Sequence, residues 1–549
     1  MKRAILFAVL ITSAIDSHAA EPQSREFINS EYYSYYENLV IMGRAQRPVL
    51  TYHSFSNSGW QISGAGNDHA WSGRMSCADT DAERGSGGFS AAAVDPDIYN
   101  SYNSTYPHGI NDGALWQGRG FNTRLTGGAV LSASAFSLYI VPEVIYSQNR
   151  YFEIMEPGIG EYGYIYAGYA GGDTGGNPNI DYPQRFGNKP VYRLAPGQSG
   201  LRFNMGSFTA GISTENVKLG PAKINPLILS SNAEGFPHVD VGVTMIETGA
   251  GKFEGRVMSG IVQESDYYDE DKGNDIRLIS FVTVAYAPSF ISGLIIGINK
   301  CTVTRSEDYE AGYVYTVLNP VPVYGGYGTD MIDQRASLTM EWLLPASNFT
   351  VYIEWAREDH NSKIRNVIRD PGHSHAYTAG FSKVIPLESG NNFFVLSFEL
   401  SQLIWSRDYE IFFGTGGSFY SHHLVTQGHT HDGQIMGAGI GPGANSQHLS
   451  LDYFFTGGRL GLFIFRHDRD NDPLYHKPVS YIDVEADPDL VAGVKRLNVE
   501  MNYGLSGIIF LDNADLYFKL SLGSNINRNY VERNDVVNLH GVAGLRYRL

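Results

Sequence analysis

The chain has 549 residues, with 40 basic and 57 acidic side chains and a net charge of -17. That balance excludes a nucleic-acid binder, which would carry a basic stripe, and only two cysteines, Cys77 and Cys301, exclude the disulfide framework of small secreted domains. The 62 glycines, 36 tyrosines and 28 phenylalanines, beside 18% charged residues, are the composition of a large antiparallel β architecture rather than a helical one.

At the N-terminus, Lys2 and Arg3 precede the apolar run Ala4 to Ile15 and the small-x-small triplet Ser17-His18-Ala19. This is the layout of a secretory signal peptide, residues 1–19, and the run is too short to span a bilayer as a helix. No later stretch reaches the roughly 18 consecutive apolar residues of a transmembrane helix. Next, Phe27, Tyr32, Tyr35, Tyr36, Leu39 and Val40 recur at helical spacing, and Gly43 and Pro48 stop the pattern. We expect a short amphipathic helix in the periplasm, lying against a barrel mouth. Residues 57–112, rich in Gly, Ser, Asp and Asn, read as irregular connection. Residues 20–112 are thus an N-terminal helical and irregular segment, and residues 113–549 the barrel.

Within that unit the side-chain period is two. Leu338, Met340, Trp342 and Leu344 alternate with Ser337, Thr339 and Glu341, and Phe349, Val351, Ile353 and Trp355 alternate with Thr350, Tyr352, Glu354 and Ala356. Leu449, Leu451, Tyr453 and Phe455 oppose His448, Ser450 and Asp452, while Leu516, Phe518, Leu520 and Leu522 oppose Tyr517, Lys519, Ser521 and Gly523. Similar runs start near Gly113, Ala133, Gly200, Val239, Lys252, Asp275, Gly293, Ser374, Asn391, Gln434, Arg459, Val494 and Val536. Roughly sixteen to eighteen runs, many about ten residues long, match tilted strands that cross a bilayer. A soluble sandwich or propeller also alternates, but here aromatics such as Tyr139, Tyr286, Trp342 and Trp405 crowd the strand ends, as at membrane interfaces. The final strand sets Leu539, Ala543, Leu545, Tyr547 and Leu549 against Asn538, His540, Arg546 and Arg548. The fold class is all-β: a closed antiparallel transmembrane barrel of roughly 16–18 strands with a short N-terminal helix, because a spanning sheet cannot leave an unpaired edge in hydrocarbon. Inward Glu341, Glu354, Glu399, Lys519, Arg546 and Arg548 would knit the lumen by ion pairs.

One passage interrupts the rhythm. Lys218 to His238, KLGPAKINPLILSSNAEGFPH, holds three prolines and two glycines around the apolar Leu227-Ile228-Leu229. Prolines fix the backbone angle and glycines permit tight bends, so we expect a structured plug or rim element anchored by that apolar run. The run GISTENVKLGPAKINPLILSSNAEGFPH resembles the signature of the Wzi-type capsule assembly family, although Lys218-Leu219 replaces the usual aromatic pair before Gly-Pro. DGALWQGRGFNTRLTGG, PEVIYSQN, IDYPQRFGN, GQSGLRF, GHSHAYTAGF and GQIMGAGIGPGANSQHLSLDY look like members of the same family, in the same order. The resemblance implies an outer-membrane barrel that acts as a lectin for capsular polysaccharide and helps organise it on the cell surface, without being an export channel.

Sugars are bound by aromatic rings stacked on a pyranose face and by amide or charged groups on its hydroxyls. The tyrosine-rich EYGYIYAGYAGGD, with Tyr164 and Tyr166, has those ingredients, and Asn225, Asn232 and His238 of the signature add polar groups. For an acidic polymer, Lys218, Lys223, Arg185 and Lys189 are candidate anion contacts. His429, His431 and Asp432, with His422, His423, His373 and His375 near in sequence type, could hold zinc or nickel, but solvated loop histidines need no metal. Acidic clusters at Tyr268 to Asp275 and Arg466 to Asp472 could bind calcium or hydrolyse a glycoside, yet such clusters usually sit on solvated turns. There is no G-x-S-x-G elbow. We therefore expect no enzyme, no metal and no cofactor, but a monomeric outer-membrane polysaccharide-binding protein contacting lipid, with a small-solute porin and an outer-membrane hydrolase as the alternatives.

Overall fold

The computed structural model describes residues 25–62, 69–72, 74, 89–154, 180–269, 271–309, 331–358, 368, 372, 374–387, 391–404, 419–422, 424–470 and 497–549. The signal peptide lies outside these.

Among the described residues, eighteen strands close into one antiparallel barrel. In chain order they are β1 Phe89–Asn103, β2 Gly120–Ala133, β3 in two halves (Phe136–Ile140 and Glu143–Ser147), β4 in two halves (Val191–Ala195 and Gly200–Met205), β5 Phe208–Ser213, β6 His238–Thr248, β7 Gly251–Gln263, β8 Ile276–Pro288 and β9 Leu294–Arg305. The wall continues through β10 Asp333–Leu344, β11 Phe349–Glu358, β12 His375–Pro386, β13 Phe393–Gln402, β14 Asn445–Phe455, β15 Gly458–Asp468, β16 Val499–Phe510, β17 Ala514–Ile526 and β18 Val536–Tyr547. The last strand pairs with the first, Arg546 opposite Asp97 and His540 opposite Asn103. Closure leaves no row of unpaired backbone groups to face hydrocarbon.

The period-two pattern sorts side chains as expected. Leu451, Leu462, Leu505 and Leu520 pair directly across β14 to β17 and point outward, each between 41% and 63% exposed. Tyr102, Tyr192, Trp342 and Tyr547 stand exposed at strand ends. Glu341, Glu354 and Glu399 turn inward and are buried.

The wall departs from expectation in two places. It begins at Phe89 rather than Gly113, and residues 104–119 are a loop. Asp95-Pro96 breaks the alternation that would have marked β1: pairing with β2 shifts register between Val94 and Asp97, a bulge where a proline without an N–H can sit. The run near Gln434 is not a wall strand either. It forms a two-residue ribbon, Thr430-His431 against Gln434-Ile435, and Ile435, Met436, Ala438 and Ile440 pack into a core inside the lumen. A second irregularity lies at Val141-Pro142, which splits β3. Gly128 of β2 faces the split, where a Cβ would come within 1.9 Å of the Ile140 carbonyl oxygen.

The two barrel ends differ. One carries short turns such as Gly206-Ser207, Gly249-Ala250 and Thr456-Gly457; the other carries longer loops such as 214–237 and 527–535. Helix α1, Glu31–Ile41, closes the short-turn mouth. It starts where Ser30 Oγ accepts the Tyr33 N–H at 3.0 Å and ends before Gly43, at φ +70°. Tyr35 stacks on Trp71 with centroids 4.2 Å apart, Tyr32 donates to Asp515 at 2.7 Å, and Glu31 pairs with Arg459 at 2.5 Å. The helix is thus built into the mouth, with its aromatic face buried.

The outward leucine row carries a measurable consequence. An arginine at Leu505, mid-strand in that row, is expected to lower stability by about 2–4 kcal/mol if the row faces the bilayer midplane. Denaturant unfolding from lipid vesicles reads this directly; an unchanged midpoint would show that the row does not meet hydrocarbon.

Candidate functional site

The expected plug is present. Residues 214–237 leave the wall between β5 and β6 and fold into the lumen. Val217–Leu219 pairs there with Tyr52–Ser54, and Leu227, Ile228, Leu229 and Phe236 join a buried cluster with Met258, Ile279 and Tyr420. An irregular segment has no ladder for its amides, so other acceptors are required. Wall carboxylates supply them. Glu399 accepts the N–H groups of Lys223 at 2.7 Å, Ile224 at 3.1 Å and Asn225 at 2.8 Å, and the Tyr352 hydroxyl at 2.7 Å. Glu354 takes the Leu227 N–H at 2.9 Å, Glu358 the Tyr420 N–H at 2.9 Å, and Glu254 the N–H groups of Leu50, Thr51 and Tyr52 at 2.7, 3.1 and 2.9 Å.

Most of the polar residues expected to contact sugar are braces of this plug. Lys218 is buried, with its ammonium 3.4 Å from the Ala222 carbonyl and 3.9 Å from Glu37. Lys223 donates to Ser382 at 3.0 Å and lies 3.8 Å from Glu37. Burial would raise the Glu37 carboxyl, but Lys218, Lys223 and Arg47 together hold it below its ordinary value. Asn225 donates to Ser446 at 3.1 Å. Asn232 donates to the Ile435 carbonyl at 2.9 Å and accepts the Asn111 N–H at 3.1 Å. His238 is buried between the Phe236 carbonyl and Ser213. Arg185 is buried, 2.5 Å from Asn188 Oδ1, with its guanidinium 5.0 Å from the Tyr151 ring. Lys189 is exposed. Tyr164 and Tyr166 lie outside the described residues.

Of the candidate histidines, His422, His429 and His431 are buried and His375 is half-buried, while His373 and His423 lie outside the described residues. His429 is buried, its Nε2 2.7 Å from the Ile228 carbonyl and its ring stacked on Tyr420; His431 Nδ1 accepts the Gln263 N–H at 3.1 Å. Burial, opposed by Asp432 and reinforced by Arg193 and Arg277, pushes His431 down to about 4, so it is neutral at physiological pH. His422 Nδ1 accepts the N–H groups of Leu424 and Val425. Among the described residues, no three His, Cys, Asp or Glu side chains converge as a metal site. Several arginines of the lumen are paired with carboxylates, Arg202 with Glu215 at 3.0 Å and Asp240 at 2.9 Å, Arg47 with Glu341 at 2.5 Å, Arg546 with Glu26 at 3.1 Å, whereas Arg277 donates to the carbonyls of Gly428 and Thr430.

Among the described residues, two of the larger cavities lie between plug and wall. One, of about 590 Å³, lies between α1 and the plug and is lined by Tyr33, Glu37, Arg124, His448 and Lys519. The other, of about 200 Å³, lies at the long-loop end, among Trp116, Phe152, Tyr182, Arg469, Arg528 and Tyr530. His108, Gly109, Ile110 and Asp112 line both and partition them. The second cavity brings ring faces, amides and guanidinium groups together. Trp116 donates to Asn149 at 3.3 Å and its ring tilts against Phe186; Tyr530 hydrogen-bonds the Asp470 carbonyl. Of its residues, Trp116 stands in DGALWQG and Tyr182 in IDYPQRFGN, two of the segments with family resemblance, whereas Arg528 and Tyr530 belong to a short loop with no sequence signal beyond its polarity.

No protein-family model and no curated protein matches the sequence. Among solved structures, the chain is similar to Wzi of Escherichia coli, described as an outer membrane protein involved in group 1 capsule assembly and a carbohydrate binding β-barrel, with 10% identity, 83% of this chain and 85% of that chain covered, and a TM-score of 0.54. The chain has the fold of the Wzi barrel. Acinetobacter baumannii OccAB2 matches at 12% identity over 83% of this chain and 97% of its own, with a TM-score of 0.39, and a BenF-like porin of Pseudomonas fluorescens Pf-5 at 10% over 84% and 99%, with a TM-score of 0.38.

The carboxylate clamp has a direct test. Glu399→Ala leaves three amides and the Tyr352 hydroxyl without their acceptor, at about 1–3 kcal/mol for each group that stays buried and unsatisfied. Amide exchange at residues 223–225 is expected to rise by orders of magnitude, and less in Glu399→Gln, which keeps one acceptor oxygen. Unchanged exchange in both variants would mean the plug is held by its apolar contacts alone.

Proposed function

We propose that this chain is a non-catalytic outer-membrane lectin that binds surface polysaccharide at its long-loop end and helps attach or organise it. In barrels of this kind the short turns face the periplasm and the long loops the exterior. On that orientation α1 is periplasmic and the 200 Å³ cavity faces outward. The observation that carries the reading is the chemistry of that cavity: aromatic faces and hydrogen-bonding groups meet above a lumen crossed by a braced plug. Such a cavity sits at the edge of a rigid base, so its rings and amides are preorganised, which limits the ordering cost of binding. The carbohydrate binding named for the structurally similar Wzi points the same way. A diffusion porin needs a continuous aqueous path, and the segment 214–237 with its wall clamps lies across it. Lipid is the partner of the outer wall, and the barrel acts as a monomer.

Purified protein in detergent is expected to bind a subset of glycans on an array, and Trp116→Ala or Tyr530→Ala to weaken that binding about tenfold, roughly 1.4 kcal/mol each. Binding unchanged in both variants would move the site elsewhere. In planar bilayers the same preparation is expected to give no steady open current; a stable porin-like conductance would favour solute diffusion instead. In cells, loss of the gene should leave polymer synthesis intact and release polymer into the medium.

A further inference from the structure

We propose that the long-loop cavity is a subsite for an acidic pyranose, a sugar bearing a carboxylate, and that Arg528 receives that carboxylate; this rests on the polysaccharide-binding reading and adds the chemical class of the glycan. The cavity, about 200 Å³, is smaller than the roughly 300–1,000 Å³ of drug-sized ligand sites and suits one ring rather than an oligomer.

Its two arginines differ in what neutralises them. Arg469 lies 2.7 Å from Glu500, and the same carboxylate stands 3.0 Å from His108. That charge is accounted for. Arg528, in the loop between β17 and β18, has no carboxylate within ion-pair distance among the described residues. Among the described residues its guanidinium makes one hydrogen bond, to the Glu153 carbonyl at 3.4 Å, near the limit of such a contact. Its guanidinium instead lies 4.4 Å from the Tyr106 ring centroid and 5.9 Å from that of Phe152. Arg47, Arg202, Arg335, Arg459 and Arg546 pair with carboxylates, and the buried Arg277 spends its donors on the carbonyls of Gly428, Gln263 and Thr430; the Arg528 guanidinium has neither kind of neutralisation beyond its long contact to Glu153.

Arg528 is half-buried, and a partly desolvated cation without a counter-charge gains from a ligand that supplies one. Burial, and then the neighbouring Arg469, push the Arg528 guanidinium down to about 10, which still leaves it charged at neutral pH. Asp112 and Asp470 also reach this cavity. Asp112 is turned toward the Tyr99 hydroxyl at 3.5 Å, and burial raises its carboxyl, which weakens its competition for the cation. A planar guanidinium offers a carboxylate two parallel N–H donors, and Phe152, Trp116 and Tyr530 offer faces to the ring that carries it.

The test compares methyl β-glucuronoside with methyl β-glucoside by saturation-transfer NMR on the full-length purified protein in detergent micelles, at low and high salt. The uronoside is expected to bind at least about tenfold more tightly, with a preference that shrinks in high salt. Arg528→Gln should abolish that preference, so that uronoside and glucoside give the same response. Should that variant fail to fold, Arg528→Lys keeps the charge but loses the fork, and the preference should fall several-fold. An equal response to the two glycosides, no response to either, or a preference untouched by substitution overturns the acidic subsite. The glycan array then decides separately whether polysaccharide binding survives: neutral glycans bound through Trp116 and Tyr530 would retain it, and an empty array would remove both.

Discussion

Irregular backbone inside this barrel needs acceptors for amides that no strand ladder takes up, and carboxylates projecting from the wall supply them. Glu254, Glu354, Glu358 and Glu399 come from three different strands, and each accepts backbone N–H groups of a segment that is not part of the wall. Charge-assisted acceptors are stronger than neutral ones, and one carboxylate can serve several donors. Glu399 does so for three consecutive amides and a phenol. Without such acceptors, the amides of residues 50–52, 223–225 and Leu227 would carry the desolvation cost of unmade hydrogen bonds. The plug, the cavity walls and the spacing between wall and loops all follow from that arrangement.

The clamps also explain how residues 214–237 are held inside the lumen. Prolines and glycines shape the path of 218–238, but Leu227, Ile228 and Leu229 give it a reason to stay, packed with side chains from the wall and from the loop that carries Tyr420 and Met436. Ion pairs such as Arg202 with Asp240 and Arg47 with Glu341 join the wall to itself and to the N-terminal segment. At the opposite mouth, Tyr35 and Trp71 seal α1 against Phe454. What is left open lies at the long-loop end and in the chamber behind it, separated by His108 to Asp112. Recognition at the first of these would draw on a rigid floor and on a cation, Arg528, that the floor leaves unpaired.

The wall was legible because a strand with lipid on one side and a polar interior on the other must alternate, and the outward row Leu451, Leu462, Leu505 and Leu520 shows that alternation continued across neighbours. It failed at β1, where Asp95-Pro96 imitates a turn but forms a bulge. It failed again near Gln434, because a segment buried on all sides is apolar for a reason unrelated to period. The candidate site was less legible. Lys218, Lys223, Asn225, Asn232 and His238 carry the right functional groups for a sugar, yet each spends them on the plug, since a polar side chain satisfied internally and one held out for a ligand look alike in one dimension.

The sequence by itself determined the class of the wall, the short helix with its stop at Gly43, and the presence of a specified element between two strands. These are local properties: period, capping chemistry and the fixed angles of proline and glycine depend on neighbours along the chain. Tertiary structure alone decided that the element is clamped by carboxylates more than a hundred residues away, as Glu399 is from Lys223. It also decided that Trp116, Arg469 and Arg528 share one cavity. Closing the barrel brings distant loops to one rim, and which charges meet there, and which is left without a partner, depends on registers that no local pattern records.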